Sequence, residues 1–324
     1  MNALVTGANG FVGSHLVERL LRGGAQVRCL VRPTSDLRWL EGLDIEVQRG
    51  SLMDVAWLRQ AVRGVDVVFH VAAAPKAVSR EGYFRANTET TAKVLAACEA
   101  AGIPRVVFVS SQAAAGPSDG LRPKTEQDSA TPLTAYGESK LQAELLVQRY
   151  AQVGEAVIVR PPVVYGPRDR DVLVLFRYVA RGLCPLLGRK PRLLSIVHVA
   201  DLVEGLILAA TGANAPGNTY FVCNDQPVEW GGFADAIAAA MGRKCFKLHV
   251  PEMLATPIAV LSELAARVRS KPALLSREKV REMRQRFWVC DNSKAKVELG
   301  FVARVSVEEG IKQTLAWYKA HGWL

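Results

Sequence analysis

The sequence predicts an α/β fold: a doubly wound parallel sheet followed by a smaller α/β domain. Short apolar runs alternate with amphipathic, helix-like segments, and a glycine-rich turn joins the first run to the first of those segments. Strands that are apolar along their whole length are typical of a parallel sheet covered by helices on both faces. The strand-like runs lie at 3–6, 26–31, 45–48, 67–70, 106–110 and 157–160. The helix-like segments between them lie at 12–22, 83–101 and 134–152.

The glycine-rich turn at residues 6–13 (TGANGFVG) follows the first predicted strand and opens the first predicted helix. Gly7 permits the tight turn, Gly10 lets the backbone approach a pyrophosphate, and Gly13 lets the helix pack against the strand. The first N–H groups of the helix are then available to phosphates. This context predicts a Rossmann-type dinucleotide-binding fold. Further contacts to the cofactor are expected from the rest of the turn, namely Asn9, Phe11 and Val12.

The end of the second predicted strand indicates which nicotinamide cofactor is bound. Folds that prefer NAD usually carry an acid there, which accepts hydrogen bonds from the ribose hydroxyls. Here that position holds Val31, and it is followed by Arg32, a residue suited to a 2′-phosphate. The sequence therefore favours NADP(H) over NAD(H). Two alternatives stay open: Arg32 is an ordinary surface residue, or Asp36 folds back to the ribose.

The alternation of strand-like and helix-like segments becomes less regular after residue 160, where prolines and a loop-like segment at 213–217 interrupt it. The elements predicted beyond this point are a strand and two helices, at 219–222, 233–241 and 307–321. We expect a dinucleotide-binding domain over 1–165, with later strands interleaved at about 193–222. Residues 166–324 are then mainly a substrate-binding domain.

Composition argues against several classes of protein. Hydrophobic residues make up 49% and charged residues 22% of the 324, which favours a packed core over disorder. A net charge of +10 suits nucleic acid, an anionic membrane surface or an anionic cofactor, but no nucleic-acid-binding motif supports the first. The six cysteines form no CxxC motif and no cluster with histidine. We therefore expect reduced thiols, no metal site, no nucleic-acid partner and a cytoplasmic location.

Tyr136 and Lys140 are four residues apart in a predicted helix, so their side chains share one face. A cation beside a tyrosine lowers the pKa of the phenol and prepares it to exchange a proton with a substrate hydroxyl or carbonyl. A chance surface pair has the same spacing. The strand at 106–110 supports the chemical interpretation, because Ser110 and Ser111 lie at its carboxyl end, where such sheets bind ligands.

Together these motifs resemble the extended short-chain dehydrogenase/reductases. The matching segments are the glycine turn, 68–73 (VFHVAA), Asn87, 110–111, Tyr136 with Lys140, 160–167 (RPPVVYGP), 197–201 (VHVAD) and 291–295 (DNSKA). The resemblance implies an enzyme in which Ser111 polarises the substrate oxygen and Tyr136 is the acid/base. Lys140 would tune Tyr136 and hold the nicotinamide ribose. Ser110 is the competing polarising hydroxyl.

The resemblance also implies further cofactor contacts. Family members often carry Asp near the adenine, where this chain has Ser51, so the adenine would rest on Ser51 and on backbone around Leu52. The other contacts implied are Ala72, Ala73, Ser110, Pro161 and Val163, besides Tyr136 and Lys140. Asn87 would support a proton relay or fix the backbone, and His70 and His198 are expected to be structural.

Two positions separate the branches of this family. Gln112 stands where sugar-nucleotide 4,6-dehydratases carry an acid, and Val163 stands where sugar-nucleotide epimerases usually carry Asn. A diphosphate would lack donors there unless Arg189 or Arg192 supplied them, whereas an apolar substrate gains from Val163.

The segment 160–166 resembles instead the 3β-hydroxysteroid dehydrogenase and dihydroflavonol reductase branches, and 31–36 (VRPTSD) resembles bacterial hopanoid-associated members. We therefore expect an NADP(H)-dependent oxidoreductase that interconverts a secondary alcohol and a ketone. Its substrate would be bulky and hydrophobic, either sterol- or hopanoid-like or a long-chain 3-hydroxy/3-keto lipid. Two alternatives remain: a nucleotide-sugar epimerase that recycles its NAD(P), and a non-catalytic NADP-binding regulatory protein.

Residues 251–286 join an apolar helical stretch to a basic one. The apolar residues are Met253, Leu254, Ile258, Leu261 and Leu264, and the basic ones are Arg267, Arg269, Lys271, Arg277, Lys279, Arg281, Arg284 and Arg286. Such a region is a candidate substrate lid, and the pairing also suits a peripheral membrane contact. We favour the other interpretation, a core-facing helix followed by a solvated basic helix, with Glu278 and Glu282 in ordinary helix pairs.

Family members commonly form homodimers through the helices that correspond to 93–101 and 140–150. Leu141, Leu145 and Leu146 permit such an interface, but they also suit an internal core. A homodimer is therefore expected.

Overall fold

The structure, a computed structural model, describes residues 1–268 and 275–324, and the side chains of 265–268 are outside that description. Part of the predicted basic stretch is affected. Arg269 and Lys271 lie outside the described residues, as does the side chain of Arg267.

The described strands follow the chain in this order: β1 (Asn2–Thr6), β2 (Gln26–Val31), β3 (Glu46–Arg49), β4 (Val67–His70), β5 (Arg105–Val109), β6 (Glu155–Arg160), β7 (Val163–Tyr165), β8 (Leu183–Leu187), β9 (Leu193–Leu194), β10 (Ile196–His198), β11 (Thr219–Phe221), β12 (Val228–Glu229), β13 (Phe246–Val250) and β14 (Phe287–Trp288).

The described helices are α1 (Phe11–Arg22), α2 (Val55–Ala61), α3 (Arg80–Tyr83), α4 (Thr90–Ala101), α5 (Gln112–Ala115), α6 (Ala135–Tyr150), α7 (Leu173–Ala180), α8 (Val199–Thr211), α9 (Trp230–Ala240), α10 (Glu252–Val268), α11 (Arg277–Arg284), α12 (Ser293–Leu299) and α13 (Val307–Ala320).

Seven strands form one parallel sheet in the order β11-β6-β5-β4-β1-β2-β3. The strand order reverses beside β1, which lies between β4 and β2. The carboxyl ends of β1 and β4 flank this switch point, where open α/β sheets bind ligands. The predicted doubly wound parallel sheet is therefore confirmed, and β11 joins it from the second half of the chain.

Helices cover both faces of the sheet, and alternation along the strands creates two buried clusters. In β1, Ala3 and Val5 pack with residues of α1 and α8, whereas Leu4 packs on the other face with residues of α2, α4 and α6. Both sets of side chains are buried. This explains why the strands are apolar along their whole length rather than at alternate residues.

Some elements differ from the sequence prediction. The predicted helix at 83–101 is interrupted by a π-helical turn, Phe84–Glu89, between α3 and α4. The predicted strand at 45–48 begins one residue later, as β3. Helix α2 was not predicted, although its start has a sequence signal: the Asp54 carboxylate accepts a hydrogen bond from the Trp57 backbone N–H at 3.0 Å.

The second half of the chain adds shorter elements that pack mainly on α7, α9 and α13. Tyr165, Phe176, Phe233 and Tyr318 belong to their shared buried cluster. The short strands pair as β7 with β10, β8 with β13, and in the order β12-β9-β14. The division of the chain at residue 165 remains a prediction. Across residues 1–268 and 275–324, no helix has the length and apolar character that crossing a bilayer requires.

Helix α10 directs its large apolar side chains outward, so the favoured interpretation, in which it faces the core, is wrong. The exposed residues are Met253, Leu254, Ile258, Leu261 and Leu264, with exposed fractions between 47% and 77%. The buried residues of the helix are small: Ala255 and Ala259 pack with Val280 of α11 and with Leu187. Small side chains on this face let α10 approach α11 closely, which leaves the large ones facing away from the protein.

Candidate functional site

The glycine turn lies at the carboxyl end of β1, and its geometry depends on the absence of side chains. Gly7 has a φ of +65°, and a Cβ added to it would stand 2.8 Å from the Cα atom of Ala72. A Cβ on Gly13 would stand 2.2 Å from the carbonyl oxygen of Gly7. Gly10 is the N-cap of α1, and among the described residues no side chain caps this end and no acid stands in the first turn. The turn is therefore open to an anion and fits a pyrophosphate.

The loop after β2 carries the cation predicted to select the cofactor. β2 ends at Val31, and the exposed Arg32 follows at once. The Asp36 carboxylate accepts hydrogen bonds from the Arg38 Nε (2.7 Å) and backbone N–H (3.0 Å), which lower the pKa of this carboxyl. Asn9 Nδ2 donates to the Asp36 carbonyl oxygen at 3.2 Å. The Asp36 carboxylate is thus engaged with Arg38, and Asn9 ties the loop to the glycine turn.

A buried chain of hydrogen bonds through His70 links the glycine turn to α4. The Ala72 N–H donates to Thr6 Oγ1 (3.1 Å), which lies 2.8 Å from His70 Nδ1, and His70 Nε2 lies 3.0 Å from Thr91 Oγ1. The Thr91 hydroxyl donates to the Asn87 carbonyl oxygen, so it accepts from His70 Nε2–H. Burial, with the charge of Lys140, lowers the pKa of His70 to about 3, so the ring is neutral. His70 therefore orders the turn.

The remaining predicted cofactor contacts follow other strands at the same edge of the sheet. Ser51 and Leu52 follow β3, Ala72 and Ala73 follow β4, and Pro161 and Val163 follow β6. The Pro161 carbonyl accepts from the backbone N–H of Gln112 at 2.8 Å, which joins the segments after β5 and β6. Val163 is 36% exposed, so an apolar side chain is presented at this edge.

Ser111 and Tyr136 are brought together at the carboxyl end of β5. Ser111 caps α5, its hydroxyl accepting from the Ala113 N–H at 3.1 Å, and Tyr136 is the second residue of α6. The half-buried Tyr136 ring lies 6.2 Å from the ring of Tyr83. Burial raises the pKa of Tyr136 to about 12, while interaction with the Ser111 hydroxyl lowers it. The phenol is therefore protonated near neutral pH.

Lys140 lies one turn after Tyr136 and is buried. Its ammonium donates to the Val109 carbonyl oxygen at 2.8 Å and lies 4.1 Å from the centre of the Phe108 ring. Burial lowers the pKa of Lys140 to about 7, and the Glu144 carboxylate opposes this shift. Burial is the largest cause of the raised pKa of Tyr136, and the role of Lys140 in tuning this phenol stays a prediction.

A buried ion pair that the sequence reasoning missed lies beneath these residues. The Glu144 carboxylate accepts from Arg160 Nε (2.9 Å) and Nη2 (2.6 Å), and from the Ser110 hydroxyl (2.5 Å). Ser110 is itself buried, so its hydroxyl is committed to Glu144, and Ser111 is the serine that stands beside Tyr136. Helix spacing could have indicated Glu144, because it follows Lys140 by four residues and therefore shares its helix face.

Asn87 holds the backbone around the site. Its side chain accepts from the Ala74 N–H (2.8 Å) and donates to the Ser139 hydroxyl (2.9 Å). The Ser139 hydroxyl donates in turn to the Tyr136 carbonyl oxygen at 2.7 Å. Asn87 thus ties the segment after β4 to the first turn of α6. These contacts agree with one of the two roles expected for Asn87, that of fixing the backbone.

Comparison with known proteins gives one family, two related reductases and one similar solved structure. Residues 3–223 match the family described as the NAD dependent epimerase/dehydratase family. A 2-alkyl-3-oxoalkanoate reductase of Shewanella oneidensis is 31% identical, over 97% of this chain and 86% of that protein. A ceramide reductase of Caulobacter vibrioides is also 31% identical, over 99% of this chain and 95% of that protein. Among solved structures, MoeE5 in complex with UDP-glucuronic acid and NAD has a TM-score of 0.79 and 26% identity, covering 99% of this chain and 100% of that one.

Proposed function

Because this chain belongs to the NAD dependent epimerase/dehydratase family, we propose that it uses NADPH to reduce a ketone on a bulky hydrophobic molecule to a secondary alcohol. The family and the reductases related to it over nearly the whole chain make it an NAD(P)-dependent oxidoreductase of the extended short-chain dehydrogenase/reductase type, as predicted. The observation that carries the proposal is the placement of Ser111, Tyr136 and Lys140 at the sheet edge that bears the glycine turn.

The proposed roles follow from the protonation of these side chains. A reduced nicotinamide, when bound, would supply the hydride, and the glycine turn and Lys140 would hold the cofactor. Ser111 donates a hydrogen bond to the ketone oxygen, and the Tyr136 phenol gives it a proton. The phenol is protonated near neutral pH, as reduction needs, and its raised pKa keeps it protonated over a wider range of pH. Oxidation of an alcohol would need the phenolate instead.

The apolar character of the substrate rests on two supports. Val163 presents an apolar side chain where a diphosphate would need donors. The two reductase relatives are named for an alkyl-oxoalkanoate and for ceramide, both of which carry aliphatic chains. We expect the protein to consume NADPH when it is given 2-alkyl-3-oxo acids, oxidised ceramides or 3-oxosterols, with formation of the corresponding alcohol. Absence of turnover across all three classes would contradict the proposal.

The preference for NADPH rests on Arg32, and its replacement is a direct test. We expect Arg32→Ala to weaken NADPH binding by roughly 10- to 100-fold, because a charge-assisted bond to the 2′-phosphate is lost, and to leave NADH binding unchanged. Arg59→Ala, which removes an exposed arginine of α2, is the control and should change neither. Titration followed by nicotinamide fluorescence measures both affinities. Equal loss for both cofactors, or tighter NADH binding by the wild type, would reject the assignment.

A nucleotide-sugar epimerase is the second candidate, and one observation favours it. The similar structure of MoeE5 holds UDP-glucuronic acid together with NAD. An epimerase returns the hydride to its substrate, so it would interconvert sugar epimers without net consumption of cofactor. Incubation with UDP-glucose or UDP-glucuronic acid, with product separation by chromatography, distinguishes the two functions.

We propose in addition that the outward face of α10 makes the predicted peripheral membrane contact. The exposed apolar residues of this helix stand beside basic residues of α11, a combination that suits an anionic lipid surface. We expect Leu261→Asp to reduce co-sedimentation with anionic vesicles by roughly 10-fold. Val297→Asp, a change at an exposed apolar residue of α12, should leave it unchanged. Equal binding by all three proteins would reject the contact.

We also propose that the protein forms a homodimer through α6. Leu145 of α6 is 42% exposed and Leu141 is half-buried, so this helix offers apolar surface to a second copy, whereas Leu146 packs against the core. Sedimentation equilibrium tests it: a monomer at all concentrations would rule it out. The cytoplasmic location stays a prediction.

A further inference from the structure

Helix α11 lies across the start of α6, the helix that carries Tyr136. The Glu278 carboxylate accepts a hydrogen bond from the backbone N–H of Ala135 at 3.0 Å, and Ala135 is the first residue of α6. The Glu282 carboxylate accepts from the hydroxyl of Thr134 at 3.3 Å, and Thr134 is the residue that caps α6. Two carboxylates from one helix therefore hold the two residues immediately before Tyr136.

These contacts differ from the ordinary helix pairs expected from the sequence. Glu282 does pair with Lys279 (3.0 Å), but through Oε2, while Oε1 accepts from Thr134. The bond from Glu278 goes to another helix altogether. Arg281 adds a third contact, because its Nη1 donates to the Leu133 carbonyl oxygen at 3.2 Å.

The physical basis of the attachment is the unpaired start of α6. The first N–H groups of a helix have no partner within it, and its positive end favours a nearby carboxylate. Thr134 already satisfies one of them, since its hydroxyl accepts from the Gly137 N–H at 3.2 Å. Glu278 satisfies the Ala135 N–H. The buried apolar side chain of α11, Val280, packs with Leu187 and two alanines of α10, and none of these belongs to α6. The polar contacts therefore contribute much of its attachment to α6.

We propose that Glu278 and Glu282 are positioning residues of the reduction site, which fix the Tyr136 side chain by anchoring α11 to the start of α6. This inference rests on the proposed ketone reduction. Neither carboxylate transfers a proton in this account. Glu282 also acts on the site through its charge. Burial is the main cause of the raised pKa of Tyr136, and the Glu282 carboxylate raises this pKa further. Movement of the first turn of α6 would carry the phenol away from Ser111, and small displacements of a reacting group slow a reaction strongly.

The test compares three variants with the wild type. Glu278→Ala combined with Glu282→Ala removes both contacts, and Glu278→Gln combined with Glu282→Gln keeps an acceptor oxygen at each position. Glu263→Ala is the matched control, since it removes a carboxylate of α10 that binds Arg277 of α11 and does not contact α6. Two readouts are taken: hydrogen exchange of residues 133–139, and kcat and KM for ketone reduction with NADPH.

We expect the double alanine variant to exchange residues 133–139 roughly 10-fold faster and to lose kcat by roughly 10-fold, with the KM for NADPH unchanged. The double glutamine variant should recover most of both, and Glu263→Ala should match the wild type. Unchanged exchange in the double alanine variant would overturn the anchor, and faster exchange with an unchanged kcat would overturn the positioning role. A wild type that reduces no ketone would instead reject the proposed function, while the exchange data would still judge the anchor.

Discussion

Replacement of Tyr136 by Phe is expected to lower the rate of ketone reduction by about 10²- to 10⁴-fold, the range typical of losing a general acid. The phenol is the group beside the Ser111 hydroxyl, and burial keeps it protonated near neutral pH. Phenylalanine retains the ring that packs near Tyr83, so the fold and the binding of NADPH should persist. Steady-state kinetics with nicotinamide absorbance, together with a cofactor titration, measure the two effects separately.

Tyr83→Phe is the matched control for this experiment, since it removes a hydroxyl from the neighbouring ring, 6.2 Å away. It should change the rate by no more than a few-fold, because the account gives the Tyr83 hydroxyl no part in proton transfer. If Tyr136→Phe kept full activity, another group would have to supply the proton, and the assigned role of Tyr136 would be wrong.

The largest expected effect on stability comes from Glu144, which lies beneath the site. We expect Glu144→Gln to lower the free energy of unfolding by about 3–5 kcal/mol, because the buried Arg160 guanidinium would lose the charge that balances it. That is a large share of the roughly 5–15 kcal/mol that stabilises a typical protein. Urea unfolding followed by circular dichroism measures the change.

Glu155→Gln provides the comparison, since it breaks an ion pair with Arg105 in which the Glu155 side chain is 49% exposed. Water screens such a pair, so its loss should cost less than about 1 kcal/mol. If both substitutions lowered the free energy of unfolding equally, the buried pair would contribute no more to stability than the exposed one. Because Glu144 also accepts from Ser110, we expect the same variant to loosen the segment that leads to Ser111.

The parts of the fold that could be predicted are those that periodicity and backbone chemistry determine. The alternation of apolar runs with helices identified the sheet, and the spacing of Gly7, Gly10 and Gly13 identified the open turn. Helix spacing placed Tyr136 and Lys140 on one face, and they do lie one turn apart on α6. The choice between Ser110 and Ser111 depended on where β5 ends, and only the structure shows the Ser110 hydroxyl bound to Glu144.

Other features could not be predicted because they depend on long-range contacts. The amphipathic pattern of α10 defines an apolar face but not the direction in which it points, and the alanines proved to be the buried side. Strands such as β7 and β9 contain two or three residues, too few for any periodicity to appear. The contact between Glu278 and Ala135 joins residues 143 positions apart, so helix spacing alone suggested only local pairs.

Ketone reduction by NADPH can be tested by following the transferred hydride. The protein is incubated with NADPH that carries deuterium at the transferable position of the nicotinamide, together with a 2-alkyl-3-oxo acid, and the products are analysed by mass spectrometry. We expect one deuterium on the carbon that bears the new hydroxyl and one NADP⁺ formed for each alcohol, with both formed about 10²- to 10⁴-fold more slowly by the Tyr136→Phe variant. Unlabelled alcohol, or conversion of a nucleotide sugar without net consumption of NADPH, would contradict it.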